Sequence, residues 1–198
     1  MEHLKKLSFT IIFLFFSTAA FAHPGHGVGG LPDGLLHPVQ GIDHLLTALA
    51  IGVWAAQIGG RALWAFPATF IISMIMGSLF GFEGHALPFQ DSGILVSLLF
   101  LGIALLLPAR IKTLSAASLI ALFGFVHGNA HGSEMTAGLS TASYTVGFVL
   151  STSLLHLSGI AGVTSLKIFM SETHARFVTQ SLGVIIIASA GLMTLGVF

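Results

Sequence analysis

Cysteine is absent from the 198 residues. That removes disulfides, thiolate metal sites, iron–sulfur clusters and cysteine nucleophiles together. Charge is scarce as well: Asp, Glu, Lys and Arg make up 7% of the chain, against roughly 25% in a soluble domain. Seven Lys and Arg balance seven Asp and Glu, so no basic field exists for nucleic acid and no nucleic-acid partner is expected. Nothing resembles a nucleotide-binding loop, which argues against ATP-driven work by this chain alone. What fills the chain is apolar: 55% hydrophobic residues and a mean hydropathy of +0.97. The fold class read from this is all-α, a polytopic helix bundle whose main partner is the lipid bilayer.

The N-terminus has the form of a secretory signal. Lys5 and Lys6 form its basic end, Leu7 to Phe16 its apolar run, and Ala20-Phe21-Ala22 an A-x-A cleavage site. The run is short for a span, which disfavours the alternative of an uncleaved first helix. The expected organisation is a signal peptide over 1–22 and a single transmembrane domain over 23–198.

A spanning helix needs roughly 20 mostly apolar residues. Six candidates follow, at about 36–58, 62–82, 92–109, 113–134, 140–162 and 177–197. They leave no room for a soluble domain. With the mature N-terminus outside, Arg61, Arg110, Lys112, Lys167 and Arg176 all fall on the cytoplasmic side, and Asp33, Glu83, Asp91 and Glu134 on the other. This is the positive-inside pattern. It predicts a multi-pass protein of the bacterial inner membrane with both mature termini in the periplasm. Candidates one and four run in opposite directions, which is compatible with a three-plus-three inverted repeat. Gly124, Gly128 and Gly132 fall four apart, a spacing that lets a neighbouring helix approach closely; ordinary glycine frequency is the alternative.

Against this background the chain carries ten histidines, more than its Lys and Arg together. Six ionisable groups concentrate in two strings, His37-Pro38-Val39-Gln40-Gly41-Ile42-Asp43-His44 and His127-Gly128-Asn129-Ala130-His131-Gly132-Ser133-Glu134. Such groups are expensive in a bilayer, rare there and usually functional. His127, His131 and Glu134, at i, i+4 and i+7, share one helical stripe, and two histidines at i, i+4 can hold one metal. Pro38 suits a first helical turn. A continuous helix from there puts His37 and His44 on one stripe, with His44 about 10 Å deeper. Asp43 would ligate from the side or orient an imidazole. Both strings fall in the outer half of the bundle. If the two helices are neighbours, His37, Asp43, His44, His127, His131 and Glu134 converge into a site for a borderline divalent cation. Intramembrane hydrogen bonding is the plainer reading, but four histidines and two carboxylates at matching depth favour metal.

The paired strings, H-P-x4-D-H and H-G-x-A-H-G-x-E, resemble those of the HupE/UreJ family of nickel permeases, and the resemblance covers essentially the whole mature chain. It implies about six spans after a cleaved signal and nickel as cargo, with cobalt in some members. It also implies nickel-enzyme maturation proteins as partners. His37, Asp43, His44, His127 and His131 are the positions it marks, with Glu134 beside them.

The other histidines carry less. His23 and His26, near the mature N-terminus, and Glu83 and His85, in an outer loop, are either loose capture groups or solvated. His156, within the fifth candidate span, is either a second station or an interhelical hydrogen-bonded histidine, the latter preferred. His174 reads as solvated. The expected function is passage of a captured cation inward, with no permanently bound cofactor and no catalysis. Two alternatives are a membrane-embedded zinc hydrolase, with Ser133 as an accessory group, and a metal-binding subunit of another transporter. Protons compete with metal for imidazole, so uptake is expected to fall as pH drops below about 6. Uptake unchanged from about pH 7.5 to 5 would argue against histidine ligation.

Overall fold

The computed structural model describes residues 30–107, 111–135 and 141–197. The signal sequence expected over 1–22, and His23 and His26, lie outside the described residues. Among them the chain is helical without strands: α1 (Leu31–Gln40), α2 (Ile42–Ile58), α3 (Ala62–Phe82), α4 (Gln90–Leu106), α5 (Thr113–Glu134), α6 (Thr141–Phe169) and α7 (Glu172–Thr194). Helices α3, α5, α6 and α7 are long and apolar enough to cross a membrane, and the bent pair α1–α2 makes a fifth span if counted as one. Helix α4 is apolar but only 17 residues long. Its flank at 108–110 lies outside the described residues.

The first predicted span is therefore not one helix. It breaks at Gly41, and α1 and α2 meet at 81°. Pro38 lies inside α1 and cannot donate to the carbonyl one turn back. Gly41 then takes an extended conformation, φ −81° and ψ 111°. Its N–H donates to the His37 carbonyl at 3.1 Å, closing α1, and its own carbonyl accepts from Leu45 N–H at 2.9 Å, opening α2. A side chain at Gly41 would press on Asp43 Oδ1 and the His44 ring.

The bundle is held by close helix pairs with glycines at the contacts. Gly124, Gly128 and Gly132 of α5 lie directly against the α3 backbone at Phe70, Met74 and Ser78. Gly52 of α2 lies on the His156 carbonyl of α6, and Gly34 of α1 on the Tyr144 carbonyl. Without a hydrophobic force between helices in lipid, such contact supplies the packing. At one end, side chains satisfy free carbonyls: Gln57 and Gln180 donate to Leu105 and Leu106, and Lys167 Nζ donates to the Ala56 carbonyl at 2.7 Å. That contact explains why α6 runs seven residues past the predicted end. A lysine can lie along apolar surface while its head finds an acceptor. Helix α7 starts at Glu172, earlier than predicted, because Ser171 caps it through the His174 N–H.

Candidate metal centre

The break at Gly41 builds the site. In a straight helix His37 and His44 would be separated by about 10 Å of rise. Folded back across the bend, their rings stack with centroids 5.5 Å apart. Into this pair α5 inserts His131, whose ring stands edge-on to both, 4.6 Å from His37 and 4.3 Å from His44. One nitrogen from each of the three rings lies within 4.8 Å of the others. An ion with nitrogens at about 2.1 Å sets its donors about 3.4–4.2 Å apart, so small side-chain rotations would close these rings on one cation. His131 is buried and its Nε2 has no hydrogen-bond partner. Aromatic contacts with Phe148 support His131 at 4.6 Å and His37 at 5.7 Å.

His127, one turn below His131, is adjacent to this trio rather than part of it. Its ring lies 5.7 Å from His44. The Nδ1–H donates to the Phe123 carbonyl at 2.9 Å, which leaves Nε2 with its lone pair, buried and unpartnered. Asp43 sits beside His44: its Oδ1 accepts the His44 backbone N–H at 2.9 Å and lies 3.2 Å from His44 Nδ1. A carboxylate there can orient a ligating imidazole, although His44 Nδ1 makes no hydrogen bond.

Other predicted residues lie elsewhere. Glu134 ends α5, is exposed, and lies outside the three-histidine group. The stripe it shares with His127 and His131 leaves the bundle in the last turn. Glu83 and His85 are exposed in the α3–α4 connection, with His85 stacked on Phe80. His156 is fully buried on α6, but neither ring nitrogen has a hydrogen-bond partner. The preferred expectation of an interhelical hydrogen bond is thereby corrected. Ser133 is engaged with the Ala130 carbonyl and Gln90.

Asn129, between the two histidines of the second string, was not singled out by sequence. It is completely buried. Its Oδ1 accepts from Leu87 N–H and Gln90 Nε2, and its Nδ2 donates to the His85 carbonyl at 3.0 Å. It ties the α3–α4 connection onto α5 next to the imidazoles. The available signal was an amide inside an apolar helix, which must find partners there.

The chain matches the family described as HupE / UreJ protein over residues 11–194. It belongs to the HupE/UreJ family. Protein HupE of Rhizobium leguminosarum bv. viciae is 36% identical over 163 residues, spanning 82% of this chain and 85% of that protein. No solved structure matches. The resemblance drawn from the two strings thus extends over the bundle, and the three-histidine group is composed of residues from both strings.

Proposed function

We propose that this HupE/UreJ-family chain is a permease that takes a divalent transition-metal ion, nickel foremost and cobalt also, from the periplasm into the cytoplasm of a bacterial cell. The observation that carries this reading is the convergence of His37, His44 and His131, from three helices, to within 4.8 Å in an otherwise apolar bundle. Neutral imidazole suits nickel and cobalt. Asp43 stands where it can fix the His44 ring, and His127 offers a further nitrogen one turn along α5. The orientation rests on charge: Arg61 and Lys112 in connections, Lys167 in the last turn of α6 and Arg176 near the start of α7 fall at the end opposite the histidine trio, which favours that end as cytoplasmic. A cation captured at the trio would exchange water for imidazole and move inward, driven by the membrane potential, by consumption inside or by proton coupling. Binding there must be loose enough to release.

The test is uptake of labelled nickel and cobalt into cells lacking other importers, with and without the full chain. No uptake of either metal above the control would refute the permease reading. Asp43→Asn keeps the size of the side chain but removes the charge 3.2 Å from His44 Nδ1. It is expected to lower apparent metal affinity by roughly 10–100-fold, the usual effect of losing an orienting carboxylate. Concentration-dependent uptake measures this, and an unchanged half-saturation point would remove Asp43 from the site.

A further inference from the structure

Beyond the trio, the interior holds further polar groups with nothing to bind. Thr47 Oγ1, Thr152 Oγ1, His127 Nε2 and both ring nitrogens of His156 are buried without a hydrogen-bond partner. Buried polar atoms are paired in roughly 90% of cases, so several orphans in one region call for an explanation. His127, Thr152 and His156 follow one another away from the trio. Helix α6 runs alongside α2 in the same direction: Gly52 packs on His156, and Lys167 reaches Ala56. From Phe148, beside the trio, to His156 is eight residues, about 12 Å of helix. Thr152 lies midway on the same face.

Space connects them. A cavity of about 10 Å³ is bounded by His44, Phe70, Met74, His127, His131 and Thr152, near the smallest size that holds one water. The Phe70 ring stands 5.6 Å from His127 and 5.4 Å from His156. Unpartnered polar groups thus continue from the trio, past the cavity, to a fully buried imidazole nearer the Lys167 end.

We propose that His156, with the Thr152 hydroxyl, forms a second and inner station for the divalent cation, entered from the three-imidazole site and left toward the Lys167 end. The proposal rests on the permease reading. A single imidazole with a neutral hydroxyl binds more weakly than three imidazoles, and a descending series of sites lets a cation enter and still leave. A histidine that served packing alone would have found a backbone or hydroxyl acceptor, as His127 does at Phe123.

The absence of cysteine from the whole chain makes the test direct, because His156→Cys carries the sole thiol. In the uptake assay, Cd²⁺ binds thiolate strongly and is expected to inhibit His156→Cys at concentrations at least about tenfold below those that inhibit wild type. Ser97→Cys, equally buried on α4 but bonded to the Ile94 carbonyl, is expected to respond as wild type does. Separately, His156→Gln is expected to lower the maximal nickel uptake rate by about tenfold, with half-saturation shifted by no more than about twofold, because outer capture is intact. Membrane levels of each variant are matched by immunoblot, and where His156→Cys does not reach the membrane, His156→Gln decides alone. Wild-type uptake by His156→Gln, or Cd²⁺ sensitivity no greater in His156→Cys than in Ser97→Cys, would overturn the inner station and leave the permease intact. Absence of uptake by the wild type would overturn both.

Discussion

Replacing His131 or His44 with alanine is expected to cut labelled nickel uptake at least about 100-fold, to the level of cells without the chain. Losing even an orienting partner costs 10–100-fold in affinity, and these are candidate donors themselves. His131 is the central ring of the trio, 4.3 Å from His44 and 4.6 Å from His37, so its removal leaves two rings 5.5 Å apart, with His127 one turn away as the remaining imidazole. The fold is expected to survive. His131 Nε2 bonds nothing in the protein, so alanine removes an unsatisfied buried group, which offsets part of the cavity left behind. Uptake and membrane level should therefore separate. His174→Ala, at an exposed position on α7, is expected to transport normally. Wild-type uptake by both His44→Ala and His131→Ala would show that the trio is not the capture site.

Both strings could be read from the sequence because each places ionisable groups where lipid or apolar helix leaves them no solvent. The break between the candidate spans 36–58 and 62–82 was also legible: it falls at Gly59 and Gly60, which take positive φ, 74° and 55°, a conformation glycine adopts without strain. The geometry within the first string was not legible. Helical periodicity assumes an unbroken helix, and Pro38 reads equally well as a first-turn residue or as an interior disruption. Only the packing of α1 on α6 at Gly34 and Gly147 selects the second. Glu134 stands exposed at the end of α5, because a stripe defines a direction but not where the bundle ends. His156 misled in the opposite sense: a lone apolar-helix histidine is ordinarily satisfied by a neighbour, and its orphaned nitrogens become visible only when every nearby acceptor has been placed.

The largest structural effect is expected at a residue that touches no metal. Gly128 lies between His127 and Asn129, and a Cβ there would collide with the Met74 carbonyl and Cα of α3. The obstacle is backbone, which cannot rotate aside as a side chain can. Gly124 and Gly132 are pressed on Phe70 and Ser78 in the same way, so the two helices cannot pivot about one contact to make room. Gly128→Val must then separate α3 from α5, at the upper end of overpacking costs, about 3 kcal/mol. For a chain of this size that corresponds to a fall of roughly 6–12 °C in the unfolding midpoint of the detergent-solubilised protein. Because α5 carries His127 and His131 while α3 carries Phe70 and Met74, the same displacement opens the cavity wall and moves His131 from His37 and His44. Metal affinity should fall although no donor has changed. Gly162→Ala on the exposed face of α6, where a Cβ meets nothing within 4 Å, should be neutral or stabilising by up to about 1 kcal/mol through helix propensity. Equal midpoints for Gly128→Val and Gly162→Ala would mean that α3 and α5 do not meet along the glycine row. If Gly128→Val lost stability but kept full metal affinity, the trio would be positioned independently of that row, by the α1–α2 bend alone.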